Sequence, residues 1–290
     1  MTEQDNRLGI LLMCAAALVF SLQDGISRHL GGTYNVYMVV MIRYWFMAAF
    51  VVALTMRKPG GLRRAMQSRF LKVQIFRGVL LALEICVTVL AFVKLGLIET
   101  HAIFGSYPLL IAALSGPVLG ESVGWRRWTA IVVGFVGILV ILQPGVAVFS
   151  PWALVPLLAA FMFALYGLLT RYVARGDNAL VSFFWTGVAG AATMTLIGIG
   201  HWQPMSGPDW AWMATLCLSG ALGHWLLIRC YEVAEASAVQ PFAYLQLAFI
   251  AVLGVLVFDE VLRPNVVLGA TIVVLAGLFT LWRARLRQRG

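Results

Sequence analysis

The sequence predicts an all-α membrane protein of ten transmembrane helices, arranged as two inverted five-helix repeats, and three observations lead to this fold class. First, the chain of 290 residues is 61% hydrophobic and only 11% charged, whereas soluble domains are roughly half apolar and about a quarter charged. Second, the apolar residues fall into ten segments of near-spanning length. Third, the second half of the chain repeats the residue order of the first half.

Each apolar segment approaches the length of about 20 residues that a spanning helix needs. The gaps are mostly short, so no stretch is left to form a soluble catalytic domain. The first segment follows an acidic start without a small-residue cleavage site, and we interpret it as a retained helix rather than a signal peptide. The ten predicted helices are 8–30, 34–56, 71–93, 98–120, 126–143, 152–173, 179–200, 210–231, 237–258 and 264–282.

Basic residues concentrate in alternate connections between these helices. Connection 57–72 has six lysines or arginines and no acid, and the tail from 283 onward has four arginines, whereas 143–151 and 200–209 have none. Because basic residues accumulate in cytoplasmic loops, we expect a multi-pass protein of a bacterial-type cytoplasmic (inner) membrane with both termini cytoplasmic. A basic surface for nucleic acid is the alternative, and we expect no nucleic-acid partner.

The repeat appears when the sequence is compared with itself at a fixed shift. At a shift of 143 residues, matching pairs recur in one order, and a shift of 139 aligns the two glutamates that close VLGE and VFDE. Chance matching of apolar sequence is the alternative. The pairs are Phe20 with Phe163, Arg28 with Arg171, Asn35 with Asn178, and Glu121 with Glu260.

An odd number of helices in each repeat has a topological consequence. If residues 1–145 form one five-helix unit and residues 146–290 the other, the second unit enters the membrane upside down. The charges agree, because basic connection 57–72 corresponds to a segment around 201–210 without lysine or arginine. Inverted repeats of this kind are a signature of secondary transporters, whose substrate binds near the bilayer midplane at the repeat interface.

The segments that contain the paired glutamates resemble a known family. In each, an apolar helix ends in a glutamate and is followed by a glycine-containing helix: YPLLIAALSGPVLGE (107–121) precedes Gly134 and Gly137, and AYLQLAFIAVLGVLVFDE (243–260) precedes Gly269 and Gly277. With ten helices, these stretches resemble the drug/metabolite transporter superfamily, EamA family, and within it most of all YddG-type exporters of aromatic and other amino acids.

This resemblance extends over nearly the whole chain and implies the arrangement of the bundle. Helices one to four and six to nine would surround a central cavity, with helices five and ten at the periphery. One departure concerns the second glutamate, which follows Asp259 where the family has glycine.

Arg43 lies within the apolar run 37–54 and is the most unusual candidate site residue. An intramembrane charge is a functional-site hypothesis by default. At a rise of about 1.5 Å per residue, Arg43 and Glu84 both lie roughly 14 Å below the outer surface, and Asp24 lies roughly 9 Å below it. Arg43 could therefore pair with Glu84 or Asp24 and tie helices together, or it could bind a substrate carboxylate.

Other polar and aromatic residues within the predicted helices are further candidates. His224 corresponds to Glu84 at a shift of 140, and an imidazole that titrates near neutral pH suits proton coupling, together with Asp24 and Glu84; hydrogen bonding to a neighbouring helix is the simpler role. Mid-helix aromatic residues could line a cavity or only pack. The candidate substrate-binding set is Arg43, Glu84, Tyr107, Trp185, His224, Tyr244 and Gln246.

Glu121 and Glu260 are predicted at opposite membrane faces, too far apart to act as a catalytic pair. We expect them to close the helix hairpins, with gating as the alternative. Pro108 interrupts the fourth predicted helix, and such breaks mark gating regions in transporters.

The function that the sequence favours is export of small amphipathic metabolites, above all amino acids including aromatic ones, by alternating access. A multidrug or cation exporter of the same fold is the nearest alternative, and an intramembrane enzyme or a receptor is the alternative from another class. The chain has no P-loop, HExxH or GxSxG motif, so we expect no enzyme activity, no cofactor and no metal. The expected partners are the small-molecule substrate and the lipid bilayer, and we expect a monomer.

Overall fold

The computed structural model describes residues 5–120, 124–142, 151–234, 239 and 242–288, and within these ranges the chain is helical and has no β-strand. Seven helices are long and apolar enough to cross a membrane, and three shorter apolar helices comprise Trp128–Leu142, Leu245–Phe258 and Pro264–Thr280. The predicted all-α class is therefore confirmed.

Twelve helices are numbered here in chain order within the described residues. They are α1 (Asn6–Thr33), α2 (Val36–Met56), α3 (Gly61–Met66), α4 (Leu71–Leu95), α5 (Leu97–Phe104), α6 (Tyr107–Leu119), α7 (Trp125–Leu142), α8 (Leu154–Val173), α9 (Ala179–Gly198), α10 (Gly207–Val233), α11 (Leu245–Phe258) and α12 (Pro264–Gln288).

Two asparagines that match at a shift of 143 residues have the same local role. Asn35 precedes α2, and its side chain accepts a hydrogen bond from the backbone N–H of Tyr37. Asn178 precedes α9 and accepts from the N–H of Val181. Because a helix leaves its first N–H groups without intrahelical partners, each asparagine satisfies one of them. This part of the sequence repeat therefore corresponds to a helix start.

The predicted fourth helix, 98–120, is divided into α5 and α6 at Gly105 and Ser106. Pro108 occupies the first turn of α6. Proline has no backbone N–H, and its ring collides with the carbonyl four residues earlier, so an unbroken helix through Phe104 is disfavoured. The break predicted at Pro108 is present, and it places His101 and Tyr107 at the ends of separate helices.

Gly120 and Asp259 end α6 and α11 in the same backbone conformation. Their φ angles are 74° and 53°, in the left-handed region that favours glycine and that Asn and Asp tolerate better than other residues. The aspartate that departs from the family pattern therefore performs the same local task as Gly120.

The helices pack as a bundle with one peripheral pair. α1 packs against α10 and α11, α2 against α9, α4 against α8 and α9, and α6 against α8. α7 and α12 pack mainly against each other, and they approach so closely at Gly137 and Gly269 that a Cβ on either would meet the backbone of the other.

Much of the outer surface is apolar. Only 39–50% of the most apolar window of each long helix is buried within the protein, and side chains such as Leu196, Leu256 and Val261 are 85%, 75% and 79% exposed. Soluble monomers rarely expose apolar patches of this extent. The chain is therefore a multi-pass membrane protein.

Candidate functional site

A cavity of about 70 Å³ lies within the bundle. It has room for a few water molecules and is smaller than the roughly 300–1,000 Å³ of typical ligand sites. Its polar and aromatic lining residues come from eight helices: Phe20, Gln23, Asp24 and Ser27 of α1, Arg43 of α2, Glu84, Thr88 and Phe92 of α4, His101 and Phe104 of α5, Tyr107 of α6, Phe163 of α8, His224 of α10 and Gln246 of α11.

Arg43 projects from the middle of α2 and is only 4% exposed. Its Nη2 donates to Oε1 of Gln23 at 3.0 Å and lies 3.4 Å from Nε2 of His224. A Cβ added to Gly220 of α10 would come within 2.7 Å of the Arg43 Nε, so the absence of a side chain there gives the guanidinium its space. Within the described residues, Nε and Nη1 donate to no acceptor.

The predicted ion pair between Arg43 and Glu84 or Asp24 does not form in this structure. Glu84 is buried in α4 and accepts a hydrogen bond of 2.6 Å from the Thr88 hydroxyl. Asp24 is engaged by residues of α5 and α11 instead. The three residues line the same cavity, but their side chains have other partners, because helix packing sets the direction in which each side chain points.

Asp24, His101 and Gln246 form a hydrogen-bonded cluster at the junction of α1, α5 and α11. Oδ2 of Asp24 lies 3.1 Å from Nε2 of His101 and accepts from Nε2 of Gln246 at 3.0 Å. Nδ1 of His101 lies 3.1 Å from the Leu97 carbonyl one turn earlier. Gln23 joins this cluster to Arg43, since its amide nitrogen lies 3.4 Å from Oδ1 of Asp24.

Aromatic rings line part of the cavity, and those of Phe104, Tyr107 and Phe163 are called the aromatic wall. The rings of Phe104, Tyr107 and Phe163 lie 5.1–5.4 Å from one another between centroids. Phe92 stacks on His101 at 5.1 Å with an interplanar angle of 7°, and Phe20 contacts His224 edge-on at 5.3 Å. The cavity thus combines a charged region with a ring-lined region.

Five members of the predicted substrate-binding set line the cavity, namely Arg43, Glu84, Tyr107, His224 and Gln246. The other two members, Trp185 and Tyr244, do not. Trp185 packs edge-on against its neighbour Phe184, and the Tyr244 hydroxyl lies against Gly277 of α12. Both polar groups are buried without a hydrogen-bond partner among the described residues.

Glu260 lies outside the cavity and holds the start of α5. Its two carboxylate oxygens accept from the backbone N–H groups of Leu97 and Ile98 at 2.7 and 2.8 Å, and it also pairs with Arg28 of α1. A negative charge at a helix N-terminus is stabilising, and this contact joins the end of α11 to α1 and α5. Its predicted counterpart, Glu121, lies outside the described residues.

Several cavity residues were not predicted, although a signal was present in the sequence. On α1 these are Phe20, Gln23 and Ser27, which share with the predicted Asp24 the i, i+3, i+4, i+7 spacing that places residues on one helical face. The same face of a helix explains why Glu84, Thr88 and Phe92, spaced by four, meet in the cavity.

Arg77 is a buried charge that the sequence analysis also missed, and it lies away from the cavity. It is fully buried in α4 and donates to Gln74 of its own helix, to Tyr166 and Thr170 of α8, and to the Ser182 carbonyl and Thr186 hydroxyl of α9. Since its donors are satisfied by these acceptors, its role is to join three helices.

Among the residues that the structure describes, no group of three or more His, Cys, Asp or Glu side chains is arranged to hold a metal ion. The four cysteines are free thiols.

Comparison with known families and proteins gives concordant results. A model described as the EamA-like transporter family matches residues 7–143 and 150–282, in agreement with the resemblance seen in the sequence. One crystal structure of a protein shares the fold with a TM-score of 0.67 over 96% of this chain and 98% of that chain, at 18% identity. At this identity the likeness establishes the fold alone.

Curated relatives cover nearly the full length. The chain is 24% identical to an S-adenosylmethionine uptake transporter of Rickettsia prowazekii, over 94% of this chain and 92% of that protein. It is 27% identical to a riboflavin transporter of Vibrio cholerae, over 97% and 95%. It is 23% identical to the pseudopaline exporter CntI of Pseudomonas aeruginosa, over 92% and 94%.

Proposed function

Because the chain belongs to the EamA-like transporter family, we propose that it carries a small solute that combines an α-amino acid group with a planar ring, and that it does so by alternating access. S-adenosylmethionine is the first candidate, and aromatic amino acids are the second. The solute would bind in the central cavity between Arg43 and the aromatic wall.

The proposal rests on the charge and the hydrogen-bond donors of Arg43 that remain unsatisfied. A buried guanidinium is costly unless its charge and donors are satisfied, yet two nitrogens of Arg43 have no acceptor in the described part of the chain, and no carboxylate pairs with it. A solute carboxylate could accept from these donors in the two-pronged geometry that arginine favours.

The remaining lining fits the other parts of such a solute. Glu84 carries an acidic group without a basic partner in the described residues, so it is available to accept from an ammonium group. Phe104, Tyr107 and Phe163 provide ring surfaces for a planar group, which aromatic side chains contact favourably in stacked or edge-on arrangements.

The relatives narrow the choice of solute, but they do not decide the direction of transport. S-adenosylmethionine has the amino acid group that Arg43 and Glu84 would bind and the ring that the aromatic wall would contact, whereas riboflavin has no carboxylate. The relatives' names include both uptake and export. We therefore propose a reversible carrier, in place of the dedicated amino-acid exporter expected from the sequence.

The packing supports the proposal that residues 1–145 and 146–290 are inverted repeats within a ten-helix bundle. Exchanging the halves would convert the contact of α1 with α10 into that of α8 with α4, and the contact of α11 with α1 into that of α6 with α8; all four contacts are present. α2 with α9, and α7 with α12, would map onto themselves. A monomer would then contain both halves of the cavity.

Glu260 is proposed as part of a gate on the outer side of the cavity. It joins α11 to α1 through Arg28 and to α5 through backbone N–H groups, so opening that side requires these contacts to separate. Pro108, at the break between α5 and α6, would allow α5 to move separately. Glu121 is proposed for the corresponding position at the cytoplasmic face.

The test is transport into liposomes that contain the purified protein. We expect uptake of labelled S-adenosylmethionine above that of empty liposomes, and competition by tryptophan. Arg43→Gln should abolish both, while Arg43→Lys should retain partial activity because it keeps the charge but loses the fork. Transport of riboflavin alone, or of none of these compounds by folded protein, would contradict the proposal.

A cation exporter of the same fold is the second candidate, because Glu84 is not neutralised by Arg43 in this structure. An ethidium-type cation would need Glu84 and not Arg43. Transport of such a cation that survives Arg43→Gln but is lost in Glu84→Gln would favour this alternative over the amino-acid-type solute.

A further inference from the structure

His101 is placed between two hydrogen-bond acceptors. Its Nδ1 faces the carbonyl of Leu97 at 3.1 Å, and its Nε2 faces Oδ2 of Asp24 at 3.1 Å. The imidazole is buried, with its side chain only 4% exposed, and Phe92 covers one face of the ring. Rotation of the ring to avoid either acceptor is therefore restricted.

This placement favours a proton between His101 and Asp24. A carbonyl oxygen can only accept, so Nδ1 must carry the hydrogen that it donates to Leu97. In a neutral imidazole Nε2 would then be an acceptor, and it would face a carboxylate that is also an acceptor. One added proton removes the conflict, either as N–H donating to Oδ2 or as a carboxylic O–H donating to Nε2.

Gln246 provides for the state in which that proton is absent. Its amide nitrogen lies 3.0 Å from Oδ2 of Asp24 and 3.4 Å from Nε2 of His101. The amide has two N–H donors, so one can serve the carboxylate and the other the imidazole. The same three side chains can thus accommodate both the protonated and the deprotonated pair.

The surroundings of the pair connect it to the proposed solute site. Gln23, beside Asp24 on α1, links it to Arg43. Arg28, one turn further along α1, is engaged by Glu260.

The charged or titratable groups that line the same cavity from the other helices are Arg43 of α2, Glu84 of α4, Tyr107 of α6 and His224 of α10. His224 accepts from Arg43 in this arrangement, so it is a weaker candidate for the proton than the sequence suggested.

We propose that Asp24 and His101 form a proton-binding site, and that its proton exchanges with the cationic group of the solute. On loading, a proton from water on the open side binds between Oδ2 of Asp24 and Nε2 of His101. When the proton returns to water, the Asp24 carboxylate is charged again and, together with Glu84, attracts the solute's cationic group. This step rests on the proposed transport function.

The helices that meet at this site give the proton a structural effect. Asp24 belongs to α1, His101 to α5 and Gln246 to α11, and the latter two helices also meet at Glu260. The proton strengthens the link between α1 and α5, whereas its loss transfers the hydrogen bonds to α11. Proton occupancy therefore changes which helices are joined on one side of the cavity.

The first experiment measures the proton without any solute. The chain has four histidines, so nitrogen-15 labelling of histidine in the purified protein gives few signals. The two ring-nitrogen signals that are missing from His101→Asn are those of His101. We expect the Nε2 signal of His101 to respond to pH, and Asp24→Asn to alter that response. A His101 signal that does not respond to pH would overturn the proton site.

The second experiment measures exchange in liposomes that enclose a pH-sensitive dye. Entry of S-adenosylmethionine should make the lumen more alkaline, because protons leave as the solute enters. In His101→Asn we expect the number of protons moved per solute to fall to near zero, because the site that holds the exchanged proton is removed. His201→Asn, which changes an exposed histidine, is the matched control and should retain wild-type coupling.

The two experiments separate the failure of this inference from the failure of the transport proposal. Solute entry without alkalinisation would overturn proton exchange while leaving transport intact. Absence of entry in a folded protein would contradict the proposed function, and the nitrogen-15 titration would still decide whether Asp24 and His101 bind a proton.

Discussion

Arg43 illustrates how a membrane interior holds a charge without an ion pair. Its guanidinium is anchored at one nitrogen by Gln23 and His224 and otherwise faces the cavity. An amide and a neutral imidazole hold the side chain in place but leave its charge uncompensated. A solute carboxylate would therefore meet an oriented cation for which the described residues provide no competing carboxylate.

Gly220 offers a test of that orientation without changing Arg43 itself. In Gly220→Ala the new Cβ would lie 2.7 Å from the Arg43 Nε, so the guanidinium must move away from Gln23. Loss of a hydrogen bond to a charged group costs about 1.5–3 kcal/mol, and we expect the KM for S-adenosylmethionine in liposomes to rise by at least about tenfold, with a smaller change in kcat.

Gly32→Ala is the matched control, because a Cβ at that position meets nothing within 4 Å. Its transport should be that of the wild type, and both variants should show similar thermal unfolding in detergent. If Gly220→Ala binds the solute as tightly as the wild type while remaining folded, Arg43 does not need its observed position.

The same residues show what sequence reveals at this scale and what it does not. The depth of Arg43 and Glu84 follows from the rise per residue, and both indeed reach one cavity. The direction of each side chain depends on helix rotation, which interhelical packing decides. Trp185 packs against Phe184 of its own helix, and the Tyr244 hydroxyl lies against Gly277 of α12. Neither residue lines the cavity, so position along the helix alone was insufficient.

At the scale of helices and connections, Asp177 fastens the turn between α8 and α9 to the start of α4. Its carboxylate accepts from the Ser68 hydroxyl, from the backbone N–H of Arg69 at 2.8 Å, and from the Gln74 side chain at 3.0 Å. Burial alone would raise the pKa of Asp177, but these hydrogen bonds, with that from the Phe70 N–H, hold it below its ordinary value.

This lowered pKa predicts an acid-sensitive stability. A carboxyl whose pKa is lower in the folded state stabilises the fold above its unfolded value of about 3.9, and this contribution is lost as pH falls through the folded value. We expect Asp177→Asn to reduce the free energy of unfolding at neutral pH by about 1–3 kcal/mol. Its stability should also depend less on pH below about 4.

Thermal unfolding in detergent across a pH series measures both effects. Glu232→Gln is the control, because its exposed pair with Arg229 belongs to a class that contributes at most about 1 kcal/mol. Equal acid sensitivity of the wild type and Asp177→Asn would show that other carboxyl groups determine the acid response.

Helix boundaries were predicted better than the long-range hydrogen bonds that hold the helices to one another. Asn35, Asn178 and Pro108 act locally, through a cap or a missing N–H, and a local rule can identify them from sequence. The bonds of Asp177 and Arg77 join residues roughly a hundred positions apart in the chain. Their partners become neighbours only after the helices pack, so no local pattern indicates them.

At the scale of the whole molecule, the repeat, the packing and the charge distribution point to one topology. The contacts that the proposed two-fold relation would exchange are all present, and each joins a helix of one half to a helix of the other. If the halves are inverted, Lys58, between α2 and α4, and Gly200, between α9 and α10, lie on opposite sides of the membrane although they occupy corresponding places in the repeat. The positive-inside rule assigns the Lys58 side to the cytoplasm.

Cysteine labelling in intact cells tests this topology. In a chain whose four native cysteines have been replaced, a single cysteine at Gly200→Cys should react with a membrane-impermeant thiol reagent added outside. Lys58→Cys should react only after the membrane is permeabilised. Both positions are exposed, and Gly200 has open space around it, so a difference in reaction reports sidedness rather than burial. Labelling of both Lys58→Cys and Gly200→Cys from outside would contradict the inverted arrangement, because it would place corresponding connections of the two repeats on the same side of the membrane.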